Sequence, residues 1–146
     1  MGLENHEALV YGYRLGGPAD GWIGLASELV RYNDGRSSWT MPEVSWSTEA
    51  MREENHPDHF AGAAEDRLKE AGLGALQFQT YSLGWDEEGH ILAAVVHEPA
   101  GGPLILDPVA MGAATEHDAS LTRALTVLEL RPRTAKPEWI MASYYA

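Results

Sequence analysis

Apolar and polar positions alternate along the chain in a way that resolves into a few elements. From Ala8 to Leu15, the residues Leu9, Tyr11, Tyr13 and Leu15 fall on one face, with Val10, Gly12 and Arg14 on the other. That is the two-residue period of a strand, and Gly16-Gly17-Pro18 stops it. Asp20 to Tyr32 admits two readings. Trp22, Leu25, Ala26, Leu29 and Val30 recur at helical spacing behind Asp20 as N-cap, which favours a helix. Alternation also runs through Ile23, Leu25, Ser27 and Leu29. Asn33-Asp34-Gly35 ends the segment in either case, because Asn and Gly tolerate positive φ. Arg36 to Ser47 reads as an irregular connection carrying Trp39, Met41, Pro42, Val44 and Trp46, and a short helical run from Thr48 to Glu54 follows it.

A helix is expected from His56 to Ala71. Pro57 suits its first position, where a missing N–H costs nothing, and Gly72 suits the residue beyond its end. Phe60, Ala64, Leu68 and Ala71 form its apolar side, while Glu65, Asp66, Lys69 and Glu70 face water. Two strands come next, Ala75 to Trp85 and His90 to Glu98, joined through Asp86-Glu87-Glu88-Gly89 as a hairpin. Ile91 to Val96 is apolar on both faces, which predicts a central, covered strand. Leu104-Ile105-Leu106 reads as a short strand ending at Asp107-Pro108. Leu121, Ala124, Leu125 and Leu128 mark a helix from Asp118 to Leu130, stopped by Pro132, and Glu138 to Tyr145 is a last strand. The sum is a single α+β domain over residues 1–146. Its sheet is mostly antiparallel, of four to five strands, with two to three helices packed on it.

Composition narrows the chemistry. The 146 residues include no cysteine, which removes disulfides, thiolate nucleophiles and thiolate metal sites. Ten Lys and Arg stand against 22 Asp and Glu, a net charge of −12. That balance speaks against binding a phosphate backbone, which takes clustered Lys and Arg. It keeps a small protein soluble, and its dispersed carboxylates read as solvated faces more readily than as a mimic of nucleic acid. No apolar run is long enough to span a membrane, and MGLENHEALVYGY lacks the charged and apolar regions of a secretory signal, so a cytoplasmic protein is expected.

Candidate chemical residues are sparse. His56, Asp58 and His59 form the one group with metal-ligand character, since residues three apart are neighbours on a helix. The spacing is not that of a zinc protease, and Asp58 also simply complements a helix N-terminus. His90 and His97 lie seven apart on one strand and so should face opposite ways. No serine stands in a nucleophile motif, and Gly16-Gly17-Pro18 lacks the lysine of a phosphate loop. No cofactor is expected. The five tryptophans are many for this length. Most should cap the ends of the core, which suits a ring with one N–H. Trp39 and Trp46, with Tyr144 and Tyr145 at the other end of the chain, are candidates for contact with a partner protein, because Trp and Tyr supply much hot-spot energy.

Tyr11-Gly12-Tyr13-Arg14-Leu15-Gly16-Gly17-Pro18, then Gly21-Trp22, then Phe60-Ala61-Gly62-Ala63-Ala64-Glu65-Asp66-Arg67-Leu68 resemble small uncharacterised proteins of actinobacteria and their phages. The resemblance covers the first half of the chain and implies an actinobacterial or phage context. It carries no activity and no functional residue across. Eight arginines beside two lysines, with abundant Ala and Gly, fit a GC-rich genome. The functional expectation is a non-enzymatic module that binds another protein. A metal-assisted enzyme built on His56, Asp58 and His59, or a subunit of a virion or other assembly, are the alternatives.

Overall fold

A computed structural model describes residues 5–16, 29–33, 38–42, 44–46, 57–82, 88–99 and 103–145. In chain order the elements are β1 (Asn5–Gly16), β2 (Leu29–Asn33), β3 (Ser38–Pro42), α1 (Pro57–Glu70), β4 (Gln77–Ser82) and β5 (Glu88–His97). Then come α2 (Pro108–Ala113), a 3-10 turn (Ala114–His117), α3 (Asp118–Leu128) and β6 (Glu138–Tyr145). The main sheet has the order β4-β5-β1-β6, antiparallel throughout, and β2 and β3 pair as a separate hairpin. This is the small α+β domain that the periodicity predicts. Among the described residues no helix is long and apolar enough to cross a membrane.

The larger apolar cluster lies between the sheet and α1 and α3. Tyr11, Tyr13, Leu15 and Leu92 come from the sheet, Ala64 and Leu68 from α1, and Leu121, Ala124, Leu125 and Leu128 from α3. The other sheet face carries Ala8, Val10, Ile91, Ala93 and Ala142, also buried. The sheet curls until its edge strands β4 and β6 approach each other. Tyr81 from β4, with Ile140 and Tyr144 from β6, pack into that second cluster, and three alanines keep it thin enough to close.

Two β-bulges set which way the central strands face. Tyr11 pairs with Val95 and Gly12 with Ala93, so Ala94 is an extra residue in β5; Leu15 is extra in β1 at the other end. Ala94 and Val95 both pack on the helix-side cluster, while Val96 packs on the other. The inserted residue corrects the expectation for the two histidines. His90 meets Phe78 edge-on, and His97 stacks on Trp139, both partners lying on the helix side. A one-residue shift thus reverses the facing of everything beyond it.

Both main helices end in the same six-residue hydrogen-bond pattern. Leu73 N donates to Leu68 O and Gly72 N to Lys69 O, with Gly72 at φ 78°. At α3, Leu130 N donates to Leu125 O and Glu129 N to Thr126 O, but the left-handed residue is Glu129, at φ 56°. A side chain there costs about 1–2 kcal/mol against glycine. The offset is in its carboxylate, which accepts from both the backbone N and the hydroxyl of Ser45 and so ties residues 44–46 to the helix end. The α3 helix therefore stops at Leu128, two residues before the expected Leu130.

Three further expectations need correction. The helix favoured for Asp20 to Tyr32 gives way at its end to β2; the stretch before Leu29 lies outside the described residues, as does Thr48 to Glu54. The connection expected as irregular from Arg36 contains β3, paired from Leu29–Pro42 to Asn33–Ser38. β-branched and aromatic residues facing each other across Asn33-Asp34-Gly35 outweigh the i, i+4 pattern. Leu104-Ile105-Leu106 is not a strand, because a three-residue run between Pro103 and Pro108 finds no ladder to join; the residue after it, Asp107, caps α2.

Candidate functional site

Trp46 is half-buried against the main core, and its Nε1 donates to Leu128 O at 3.0 Å. The Arg67 guanidinium lies 5.7 Å over its ring and also donates to Val127 O. The indole therefore joins α1 to α3. Trp39 sits in β3 opposite Tyr32, and its side chain lies outside the described residues. His56 lies outside them as well; Asp58 and His59 are in the first turn of α1, with side chains not described. Among the described residues no three His, Asp or Glu side chains stand together as a metal site.

Tyr144 lies where β6 pairs with the start of β1. Its ring stacks on His6 at 5.4 Å, and its hydroxyl donates to Glu98 Oε1 at 2.6 Å. With Glu7 and Pro99 these residues line an open, polar groove of about 310 Å³. The bond to Glu98 raises the Tyr144 pKa above its ordinary value, and burial and the Glu98 charge act in the same direction. A phenol that holds its proton this firmly is a weak acid at neutral pH. Tyr145 pairs with Asn5 at the end of β6. The strand thus carries Tyr144 to the groove, and the Tyr145 side chain lies outside the described residues.

A second aromatic column joins sheet to helix. His97 stacks on Trp139, Trp139 tilts against Tyr11 at 5.2 Å, and the Tyr11 hydroxyl donates to Asp118 Oδ1 at 2.6 Å. Burial first, then the Asp118 bond and charge, push the Tyr11 pKa from 10.0 up to about 12. The folded state binds this proton more tightly than the unfolded chain. Its stabilisation is therefore complete below pH 10 and is lost as pH rises through about 12. An ultraviolet tyrosinate titration should show one phenol ionising near 12, and Tyr11→Phe should remove that step. If every phenol ionises near 10 in the parent protein, the Tyr11–Asp118 bond is not present in solution.

Among the described residues, the most exposed apolar side chains belong to neither column. Ile105 is 87% exposed, Val109 81% and Leu106 52%. They do not sit on a loose loop. Asp107 Oδ1 accepts from Val109 N and Asp107 O from Met111 N, which fixes the turn into α2. Trp139 Nε1 then donates to Met111 O at 3.2 Å, which pins α2 to β6. On the same strand Met141 is 60% exposed. The sequence signal was there, three consecutive apolar residues between two prolines, but as a strand they would have been covered.

Comparison with known proteins found no matching family model, no matching curated protein and no matching solved structure.

Proposed function

We propose that the chain is a small acidic module that binds another protein, without a catalytic role of its own, in the cytoplasm of an actinobacterium or as a product of one of its phages. The observation that carries this reading is the turn from Ile105 to Val109. Large apolar side chains held out to water by a capped turn work against folding, and on a small domain such a patch marks a contact surface. The ordering of the turn before contact adds to affinity, because little conformational entropy remains to be lost. The two tyrosine hydroxyls, both holding their protons tightly, serve packing and hydrogen bonding better than acid–base chemistry. The actinobacterial setting rests on the resemblance of the first half of the chain.

The test is affinity capture of the tagged protein from an actinobacterial lysate, run beside an Ile105→Asn, Val109→Asn double variant and Trp39→Ala. A stoichiometric partner held by the parent protein and by Trp39→Ala, but lost by the double variant, is the expected result. No partner for the parent protein contradicts the reading. Loss by Trp39→Ala alone moves recognition to the β2–β3 hairpin.

A further inference from the structure

We infer that the surface docking on the Ile105–Val109 turn is a protein face with an apolar centre ringed by Lys and Arg. This rests on the binding reading above and names the chemistry of its partner. The charge of the chain is unevenly placed. From Glu70 to Thr122 there are eight Asp and Glu and no Lys or Arg, and the turn lies inside this stretch. Asp107 is exposed within the turn itself, and Glu98 and Glu116 are exposed before and after it in sequence, with His117 Nε2 3.5 Å from the Glu116 carboxylate. Around an apolar patch, such a field favours a basic rim on the partner and repels an acidic one. It also disfavours a second copy of this chain, which would bring the same carboxylates and a further −12 to the contact. An anionic membrane surface is repelled for the same reason.

The probe is a fluorescent 18-residue peptide with Leu and Lys in helical amphipathic order. Two controls of equal length replace every Lys with Glu or every Leu with Ser. Anisotropy is measured at two salt concentrations against the parent protein, the Ile105→Asn, Val109→Asn variant and Asp107→Asn, Glu116→Gln. The Leu/Lys peptide should bind the parent protein, and the apolar variant should weaken it at least tenfold, which is about 1.4 kcal/mol. The carboxylate variant and added salt should each weaken it severalfold, and neither control should compete. Equal binding by the apolar variant overturns the inference, because charge alone would then explain the complex. Equal binding of the Leu/Glu peptide overturns it too. If lysate capture depends on Ile105 and Val109 while Lys and Glu peptides bind alike, the binding reading stands and the basic rim falls. Sedimentation showing a dimer that the apolar variant dissociates assigns the turn to a second copy and likewise overturns it. Circular dichroism and melting of each variant confirm that these exposed substitutions leave the fold intact.

Discussion

Replacing Gly12 with alanine should leave little folded protein at temperatures where the parent chain is fully native. A Cβ built at Gly12 would lie 1.9 Å from Leu92 O, 2.8 Å from Leu92 C and 3.0 Å from Ala93 Cα. All three atoms are backbone of the neighbouring strand, so no side chain can swing away to make room. The crowding comes from the bulge beside it, where Ala94 is inserted opposite the Tyr11–Gly12 step. Relief requires β1 and β5 to separate at the centre of the sheet, and both carry core residues on both faces. Overpacking costs about 1–3 kcal/mol where side chains can adjust, and more is expected where backbone must move. Gly62 is the control. It is exposed on α1 with nothing within 4 Å of its would-be Cβ, so Gly62→Ala should stabilise by up to about 1 kcal/mol through helix propensity. Thermal melts of the two variants side by side decide the matter. A Gly12→Ala melt within a degree of the parent would show that the bulge is not formed as described.

Leu68→Ala should be the next most damaging change, by about 2–5 kcal/mol. Leu68 is fully buried where α1 faces α3 and the sheet. Alanine is the better helix former, so the loss reports the cavity and not the helix. At this chain length each kcal/mol moves the melting temperature by roughly 2–4 °C, so a fall of about 10 °C is expected. Denaturant melts should show an unchanged slope with a lower midpoint. A Leu68→Ala midpoint equal to that of the parent would mean that α1 does not pack on this core.

The parts of the fold legible in the sequence are those whose pattern is local. β1, β5 and β6 carry their own alternation or apolar run, and α1 carries its own stripe, first-turn proline and terminal glycine. The β2–β3 hairpin is different, because its evidence is a pairing across Asn33-Asp34-Gly35, and a window over either half alone sees helix or loop. The bulge at Ala94 is also invisible to periodicity, yet it decides where His97 points. Glu129 shows a third limit. Nothing in Leu-Glu-Leu marks a left-handed residue, and its reason, the Ser45 contact, lies 84 positions away. For the candidate site, aromatic count pointed to Trp46 and Tyr144, and the structure finds both engaged in internal hydrogen bonds. The exposed turn at Ile105 carried an apolar signal that strand propensity absorbed, since a run of three such residues is read as buried until its partner strand is sought.

The central claim is that this turn meets another protein. The most direct measurement places a photo-crosslinking amino acid at Ile105 and, in a separate variant, at Gly62 on the exposed side of α1, with irradiation inside the host cell. A discrete crosslinked product is expected from position 105, sequenced to one protein with a basic surface, and none from position 62. No product from position 105, or the same products from both positions, would contradict it.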